Sequence, residues 1–363
     1  MKALVLCAGR GTRLAPLTLT RPKAAVPVAG RPVLTQILYY LAGQGLTEVG
    51  VVVAPGQMTQ LQQESEPEGM QIHFFTQERP LGIADAVRAA YAYLGEEPFL
   101  LYLGDNLTNA SLAGALQRFA QSEEEALLLL RPVPNPTAFG VAELDGDRVV
   151  AVWEKLPQPP TNLAIAGIYL FRPSIHQAIA LTQPSARGEY EITDAIQALI
   201  QGGAPVGGAL LDGWWQDMGS IGGLLTANRL LLSELTPAID PTAQLRNVDL
   251  TGPLSIGPRA IIEGSRLIGP IWIGAGAVVR GSILGPDVSL GAGARILDAS
   301  LQQTILLPGA QVTGPLPPLI GTVLGERASV SSLASPTAPP GVRLCPVLGD
   351  GESLLLPSAD NPA

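Results

Sequence analysis

The first residues able to do chemistry sit where an apolar run stops. Ala3-Leu4-Val5-Leu6-Cys7 has the length of a strand and breaks into Ala8-Gly9-Arg10-Gly11-Thr12-Arg13. Gly9 and Gly11 let backbone N–H groups come close to an anion, Thr12 adds a hydroxyl, and Arg10 and Arg13 supply forked cations. That is the composition of a phosphate cradle; an ordinary tight turn uses the same glycines, and the loop alone does not separate the two. A second candidate is Asp105, which closes the apolar stretch Phe99-Leu100-Leu101-Tyr102-Leu103-Gly104. Ligands of open parallel sheets gather beyond the carboxyl ends of strands, so a carboxylate there is placed for chemistry. Capping of a helix, shared with Asn106 and Thr108, is its other reading. Glu154 and Lys155 form a third set, an anionic acceptor beside a compact cation, although an adjacent Glu-Lys pair is ordinarily a solvated edge.

The loop runs on into Arg21-Pro22-Lys23-Ala24-Ala25-Val26-Pro27-Val28 and then Gly30-Arg31-Pro32. The order G-x-G-T-R-L, R-P-K-x-x-x-P-V, G-R-P resembles the sugar-1-phosphate nucleotidyltransferases. The resemblance implies that Ala8, Gly9, Gly11 and Thr12 hold a nucleoside triphosphate, while Arg13 and Lys23 neutralise its phosphates; Ala8 stands where family members often have glycine. Gln77 and Gly82, in a Q-x-x-x-x-G-x-A-x-A segment, match the residues that meet the base, against a plain polar turn before a helix. Asp105 matches the metal-binding aspartate of L-G-D-N, with Asn106 beside it on the substrate side. Phe139-Gly140-Val141 and Glu154-Lys155 look like the segments holding the sugar phosphate, which assigns Gly140, Glu154 and Lys155 to it; Leu156 replaces the usual proline. Arg187-Gly188-Glu189-Tyr190-Glu191-Ile192-Thr193-Asp194 is similar to R-G-E-x-E-I-T-D. Gly213-Trp214-Trp215-Gln216-Asp217-Met218-Gly219-Ser220 resembles G-x-W-x-D-x-G-T, whose aspartate, here Asp217, is the second metal ligand.

These residues need a framework. Val33-Leu34-x-x-Ile37-Leu38-x-x-Leu41 has helical spacing, and Glu48–Val53, Gln71–Phe75 and Phe99–Leu103 read as strands. Such alternation predicts an α/β fold, a Rossmann-like domain with a mainly parallel mixed sheet. Asn162–Phe171 reads as a further strand in which Gly167 permits close approach of a ligand. An amphipathic helix around Leu224–Leu231 is expected to close this domain, residues 1–236.

From about Pro237 the texture changes to short apolar-glycine units. Ile239, Ile256, Ile273, Leu290, Leu307 and Leu324 recur at intervals of seventeen, and Ile262, Val279 and Ile296 form a second row. Each coil is expected to hold three short strands stacked on the next. Residues 237–330 thus look like the left-handed parallel β-helix of hexapeptide-repeat proteins, followed by an irregular tail over 331–363 where prolines cluster. Many acyltransferases use that helix with a histidine base. The two histidines, His73 and His176, lie outside the repeat, which is therefore expected to serve packing or a homo-oligomer.

Composition narrows the partners. A formal charge of −9 opposes nucleic-acid binding through a general basic face. Cys7 and Cys345 offer neither a disulfide framework nor a metal cluster. The short apolar start breaks too soon for a signal peptide, and no uninterrupted run would cross a membrane, so a cytoplasmic location is expected. The scarcity of histidine fits the implied reaction, since a sugar 1-phosphate already carries an ionised oxygen and needs no base. The resemblance implies Mg²⁺ as cofactor, with dTTP and glucose 1-phosphate giving dTDP-glucose and pyrophosphate. UTP on the same sugar phosphate is the alternative, and a non-catalytic nucleotide-sugar sensor the reading from another class.

Overall fold

The computed structural model describes residues 1–62, 67–332 and 342–356. Packing divides the chain into two units that do not follow chain order. The first comprises Met1–Arg10, Pro22–Ala25 and Val33–Gln216; the second comprises Gly11–Arg21, Val26–Pro32 and Asp217–Ala363.

In the first unit the expected sheet forms from β1 (Lys2–Leu6), β2 (Glu48–Val53), β3 (Gln71–Thr76), β4 (Phe99–Leu103), β5 (Ala126–Pro132), β6 (Gly140–Asp145), β7 (Arg148–Glu154), β8 (Leu163–Phe171) and β9 (Val206–Leu210). Their order is β3-β2-β1-β4-β8-β5-β9-β7-β6. β1 pairs in parallel with β2 on one side and β4 on the other, and β2 pairs in parallel with β3. β8 is antiparallel to β4 and β5, and β7 is antiparallel to β9 and β6, so the sheet is mixed but mainly parallel. Strands such as β1 and β2 are apolar and buried almost throughout, the pattern of strands covered on both faces. Leu4, Val52, Phe99, Leu101, Phe171 and Ile196 belong to one core cluster. Because the chain leaves β1 toward β2 and β3 but returns on its other side as β4, the carboxyl ends of β1 and β4 flank the switch point where such sheets bind ligands.

The second unit carries the coiled repeat. Three parallel sheets of seven, seven and five strands stack along it, the pattern of the expected left-handed β-helix. Ile256, Ile273 and Leu290 align in one row, and Ile262, Val279 and Ile296 in another; all six are buried. Burying each such side chain stabilises the coil by roughly 1.5–3 kcal/mol, which three-residue strands could not achieve singly. At the turn, a Cβ on Gly274 would stand 2.6 Å from the backbone nitrogen of Ala292, so the close stacking of coils requires glycine there.

Two expectations need correction. The interval of seventeen does not persist: Leu306, not Leu307, pairs with Leu290, and Leu324 follows in that row. Register is fixed by which side chain points into the core, and the chain loses one residue there and regains it in the next coil. The stretch after 331 is not irregular throughout. Val347–Leu348 and Ser353–Leu356 add to two of the helix sheets, satisfying edges that the preceding coil would leave open. Its residues 333–341 and 357–363 lie outside the described residues.

The helix Ile221–Ser233 begins at Ser220, whose hydroxyl accepts from the Gly223 amide at 3.1 Å. Rather than closing the sheet domain, it packs within the second unit, against Pro27–Val28 and Thr304–Leu306. Asn228, almost fully buried, explains the placement: its Oδ1 accepts from Ala29 N and Ser289 Oγ, and its Nδ2 donates to Asp287 O. Among the described residues no helix is long and apolar enough to cross a membrane.

Candidate active site

At the carboxyl end of β1, Cys7 N donates to Val52 O at 2.7 Å, and Ala8 is buried before the chain emerges at Gly9 and Arg10. Gly104, just past β4, lies so near that a Cβ would stand 2.6 Å from Leu6 O and 2.7 Å from Cys7 Sγ. The next residue is Asp105. No helix starts there; the short strand Asn106–Thr108 follows, so the capping alternative is not what the fold uses.

Asp105 Oδ2 accepts from Lys23 Nζ at 2.9 Å, and Asp105 Oδ1 accepts from Asn106 Nδ2 at 3.0 Å. Lys23 is buried, whereas the Asp105 side chain keeps 40 % of its surface exposed. A buried ammonium needs a counter-charge. The carboxylate therefore holds the lysine and still faces outward. Asn106 is buried as well, and its Oδ1 has no hydrogen-bond partner among the described residues. At Gly167, where close approach of a ligand is expected, the neighbour in the structure is this same side chain: a Cβ there would lie 2.6 Å from Asn106 Nδ2.

Burial, followed by the charge of Asp105, pushes the Cys7 thiol up to about 12, against a partial opposing effect of Lys23. Cys7 is thus a neutral thiol beside the site and no nucleophile. Iodoacetamide at pH 8 is expected to label exposed Cys345 in the native protein and Cys7 only after unfolding. Peptide mass spectrometry reads the outcome, and native labelling of Cys7 at the rate of Cys345 would contradict it.

Two further groups form in the first unit. Gln77, buried after β3, donates from Nε2 to Gly82 O at 3.0 Å and to Asp85 Oδ2 at 2.9 Å. Gly82 has φ +101 and lies against the Tyr190 backbone. The Gln77 side chain thus braces the turn that carries Gly82. In the other group, Glu154 ends β7 with Lys155 in a left-handed conformation, φ 43, its amide donating to Phe139 O. Glu154 Oε1 meets Arg187 Nη1 at 3.2 Å and Lys155 Nζ at 3.3 Å, and its Oε2 accepts from Thr193 Oγ1 at 3.2 Å. Gly140 lies beside this carboxylate, where a Cβ would be 3.1 Å from Glu154 Oε2. In the sequence Arg187 stands within a motif and has no evident task. Its guanidinium also meets Glu189, and two cations therefore flank Glu154. Only the pairing across more than thirty residues reveals this.

The segment leading to Asp217 is anchored in the first unit by Thr108 Oγ1, which donates to Trp214 O at 2.6 Å, and by Trp215 Nε1, which donates to Ala166 O at 2.9 Å. Asp217 itself belongs to the second unit, together with Gly11, Thr12 and Arg13. There Asp217 Oδ1 accepts from Gly219 N at 2.6 Å. A Cβ on Gly219 would be 2.5 Å from Arg13 Nη2 and 2.9 Å from Asp217 Oδ1, so the guanidinium and the carboxylate crowd the same glycine. Gly11 takes φ 62, and its carbonyl accepts from Thr18 Oγ1 at 2.8 Å. The candidates thus fall into four clusters, Lys23–Asp105–Asn106–Gly167, Gln77–Gly82, Gly140–Glu154–Lys155 and Arg13–Asp217, with Ala8 and Gly9 at the end of β1.

Among the described residues no group of three or more His, Cys, Asp or Glu side chains is assembled to hold a metal. Carboxylate oxygens are nevertheless the donors a hard divalent cation takes, and Mg²⁺ usually uses one or two of them with substrate phosphates. The outward-facing carboxylate of Asp105 fits that requirement.

A mixed, mainly parallel sheet with an Asp-Lys pair at its switch point, joined to a β-helix, defines a class. The chain belongs to the nucleotidyl transferase family, whose model matches residues 2–234. It is 42% identical over 252 residues to a glucose-1-phosphate thymidylyltransferase of Streptomyces antibioticus, covering 68% of this chain and 71% of the relative. A glucose-1-phosphate thymidylyltransferase of Streptomyces griseus is 38% identical over 353 residues, 96% of this chain and 98% of the relative. Among solved structures, a Bacillus anthracis chain assigned as a glucose-1-phosphate thymidylyltransferase, in complex with sucrose, superposes with a TM-score of 0.59 at 29% identity. That match covers 66% of this chain and 97% of the other.

Proposed function

We propose that this protein is a glucose-1-phosphate thymidylyltransferase. It moves the thymidylyl group of dTTP onto glucose 1-phosphate, giving dTDP-glucose and pyrophosphate. The observation that carries the reading is the Lys23–Asp105 pair at the carboxyl end of β4, in a chain related along nearly its whole length to an enzyme of that name.

An ionised phosphate oxygen of glucose 1-phosphate forms the new bond to the α-phosphorus of dTTP. The bond from that phosphorus to the bridging oxygen breaks, and pyrophosphate leaves with the electron pair. No proton must be removed for attack, so the reaction asks the protein for alignment and charge compensation. Backbone groups of Ala8, Gly9, Gly11 and Thr12 cradle the triphosphate, and Arg13 and Lys23 offset its charge. Gln77 and Gly82 contact the base; Asn106, Gly140 and Gly167 shape the substrate pocket. Glu154 accepts from sugar hydroxyls, and Lys155 meets the sugar phosphate. Asp105 and Asp217 hold Mg²⁺, which when bound supplies positive charge to the phosphate oxygens. The catalytic part is residues 1–236 in the cytoplasm, and the β-helix supports a homo-oligomer, to be counted by light scattering.

Pyrophosphate release across dTTP, UTP and other nucleoside triphosphates with several sugar 1-phosphates, with and without Mg²⁺, tests the reading. Fastest release is expected from dTTP with glucose 1-phosphate and Mg²⁺. Thymine and uracil differ by a methyl group, which a pocket distinguishes by about 1–3 kcal/mol, so UTP is expected to work less well rather than not at all. Preference for UTP would move the assignment to a uridylyltransferase, and no release with any pair to a sensor.

A further inference from the structure

Arg21 is a cation of the signature loop that the proposed chemistry leaves unused. Its side chain is 15% exposed, and its Nη2 donates to Asp350 Oδ2 at 2.6 Å and to Glu326 Oε2 at 3.1 Å, with Nε at 3.3 Å from the same Asp350 oxygen. Thr20 Oγ1 donates to that oxygen too, at 2.5 Å. The other oxygen, Asp350 Oδ1, accepts from the backbone amide of Glu326 at 2.7 Å. Asp350 therefore spans two parts of the second unit, the loop Gly11–Arg21 and a turn of the β-helix. It lies between the strands Val347–Leu348 and Ser353–Leu356, in the last coil among the described residues. A second contact lies beside it: a Cβ on Gly349 would stand 3.1 Å from Pro16 Cβ. Within the loop, Leu14 and Leu17 are fully buried, and Thr18 closes it on the Gly11 carbonyl.

We propose that Asp350 is a positioning residue for nucleotide binding, fixing the conformation of the loop that carries Gly11, Thr12 and Arg13 from the far end of the β-helix. The inference rests on the reading that this loop holds the triphosphate. Its physical basis is that phosphate cradles work through preset backbone donors, and a loop ordered beforehand loses less entropy on binding. Charge-assisted bonds of low exposure hold such a geometry better than surface pairs do. Changing the carboxylate to an amide removes the charge that holds Arg21 and leaves a single acceptor oxygen for the ties to Thr20 and to the Glu326 amide. The β-helix then takes part in substrate binding without touching substrate.

The test compares the wild-type full chain with Asp350→Asn and, in case that variant folds poorly, Thr20→Val, which removes one tie and leaves no charge unpaired. Expected for Asp350→Asn are faster amide hydrogen exchange over residues 11–21, a roughly tenfold higher KM for dTTP and a kcat within about threefold of wild type. Thr20→Val should move in the same direction by less. A merely structural role would lower the melting temperature and leave KM unchanged, and that result overturns the proposal, as would wild-type exchange over the loop. A wild-type chain that releases no pyrophosphate from any pair sinks the enzymatic reading instead; loop exchange and dTTP affinity by calorimetry then decide the role of Asp350.

Discussion

Asp105→Asn and Asp217→Asn, made singly, are each expected to lower pyrophosphate release by about 10³-fold, a barrier increase of roughly 4 kcal/mol. Asparagine keeps the shape and an acceptor oxygen at both positions. At 105 its one oxygen can still receive the Lys23 ammonium, giving up the bond from Asn106, and at 217 the Gly219 amide, so what is chiefly lost is negative charge. Charge is what a divalent cation needs from these side chains, and the reaction concentrates negative charge on phosphate. Far-ultraviolet circular dichroism should be unchanged in both variants. Alanine at 105 is the less clean choice, because it takes away the acceptor oxygen of the buried Lys23 ammonium as well as its counter-charge. Turnover within tenfold of wild type in either asparagine variant would remove that carboxylate from the metal site.

Gly167→Val is expected to destabilise the first unit by about 2–5 kcal/mol. Gly167 has φ +72 within β8, at the irregularity where pairing with β5 shifts between Ile165 and Tyr169. A side chain in the left-handed region costs roughly 1–2 kcal/mol, and overpacking a dense site roughly 1–3 kcal/mol more. The new Cβ would meet Asn106 Nδ2 at 2.6 Å and Leu103 Cγ at 3.0 Å, and valine adds two methyl groups to that. Displacing Asn106 also breaks its bond to Asp105, so turnover should fall together with stability. Denaturant unfolding measures the first effect and pyrophosphate release the second. An unchanged unfolding midpoint would show that the backbone at 167 relaxes at little cost.

Much of this was legible from residue order. The apolar run before Gly9, the alternation of strand and helix, and the rows Ile256–Ile273–Leu290 and Ile262–Val279–Ile296 are local or periodic patterns, and the chain folds as they predict. Legibility failed where the period did. Leu306 takes the place given to Leu307, because coil register follows the inward-pointing side chain and not a fixed count. The strands Val347–Leu348 and Ser353–Leu356 carry too little pattern of their own and form by adding to edges already present. Gln77 reads as a polar residue before a helix, yet its amide braces Gly82 and Asp85, which no spacing reveals.

Residue order by itself determined the two kinds of architecture and the family motifs, since both are written in short-range periodicity and in residue type. Tertiary structure decided which charges answer one another. Lys23 meets Asp105 across 82 positions, Arg21 meets Asp350 across 329, and Arg187 meets Glu154 across 33. A lone lysine, arginine or aspartate in a sequence is equally fit for solvent, and only burial beside an opposite charge singles it out. That burial is set by where distant strands and coils come to lie, and no local pattern encodes it.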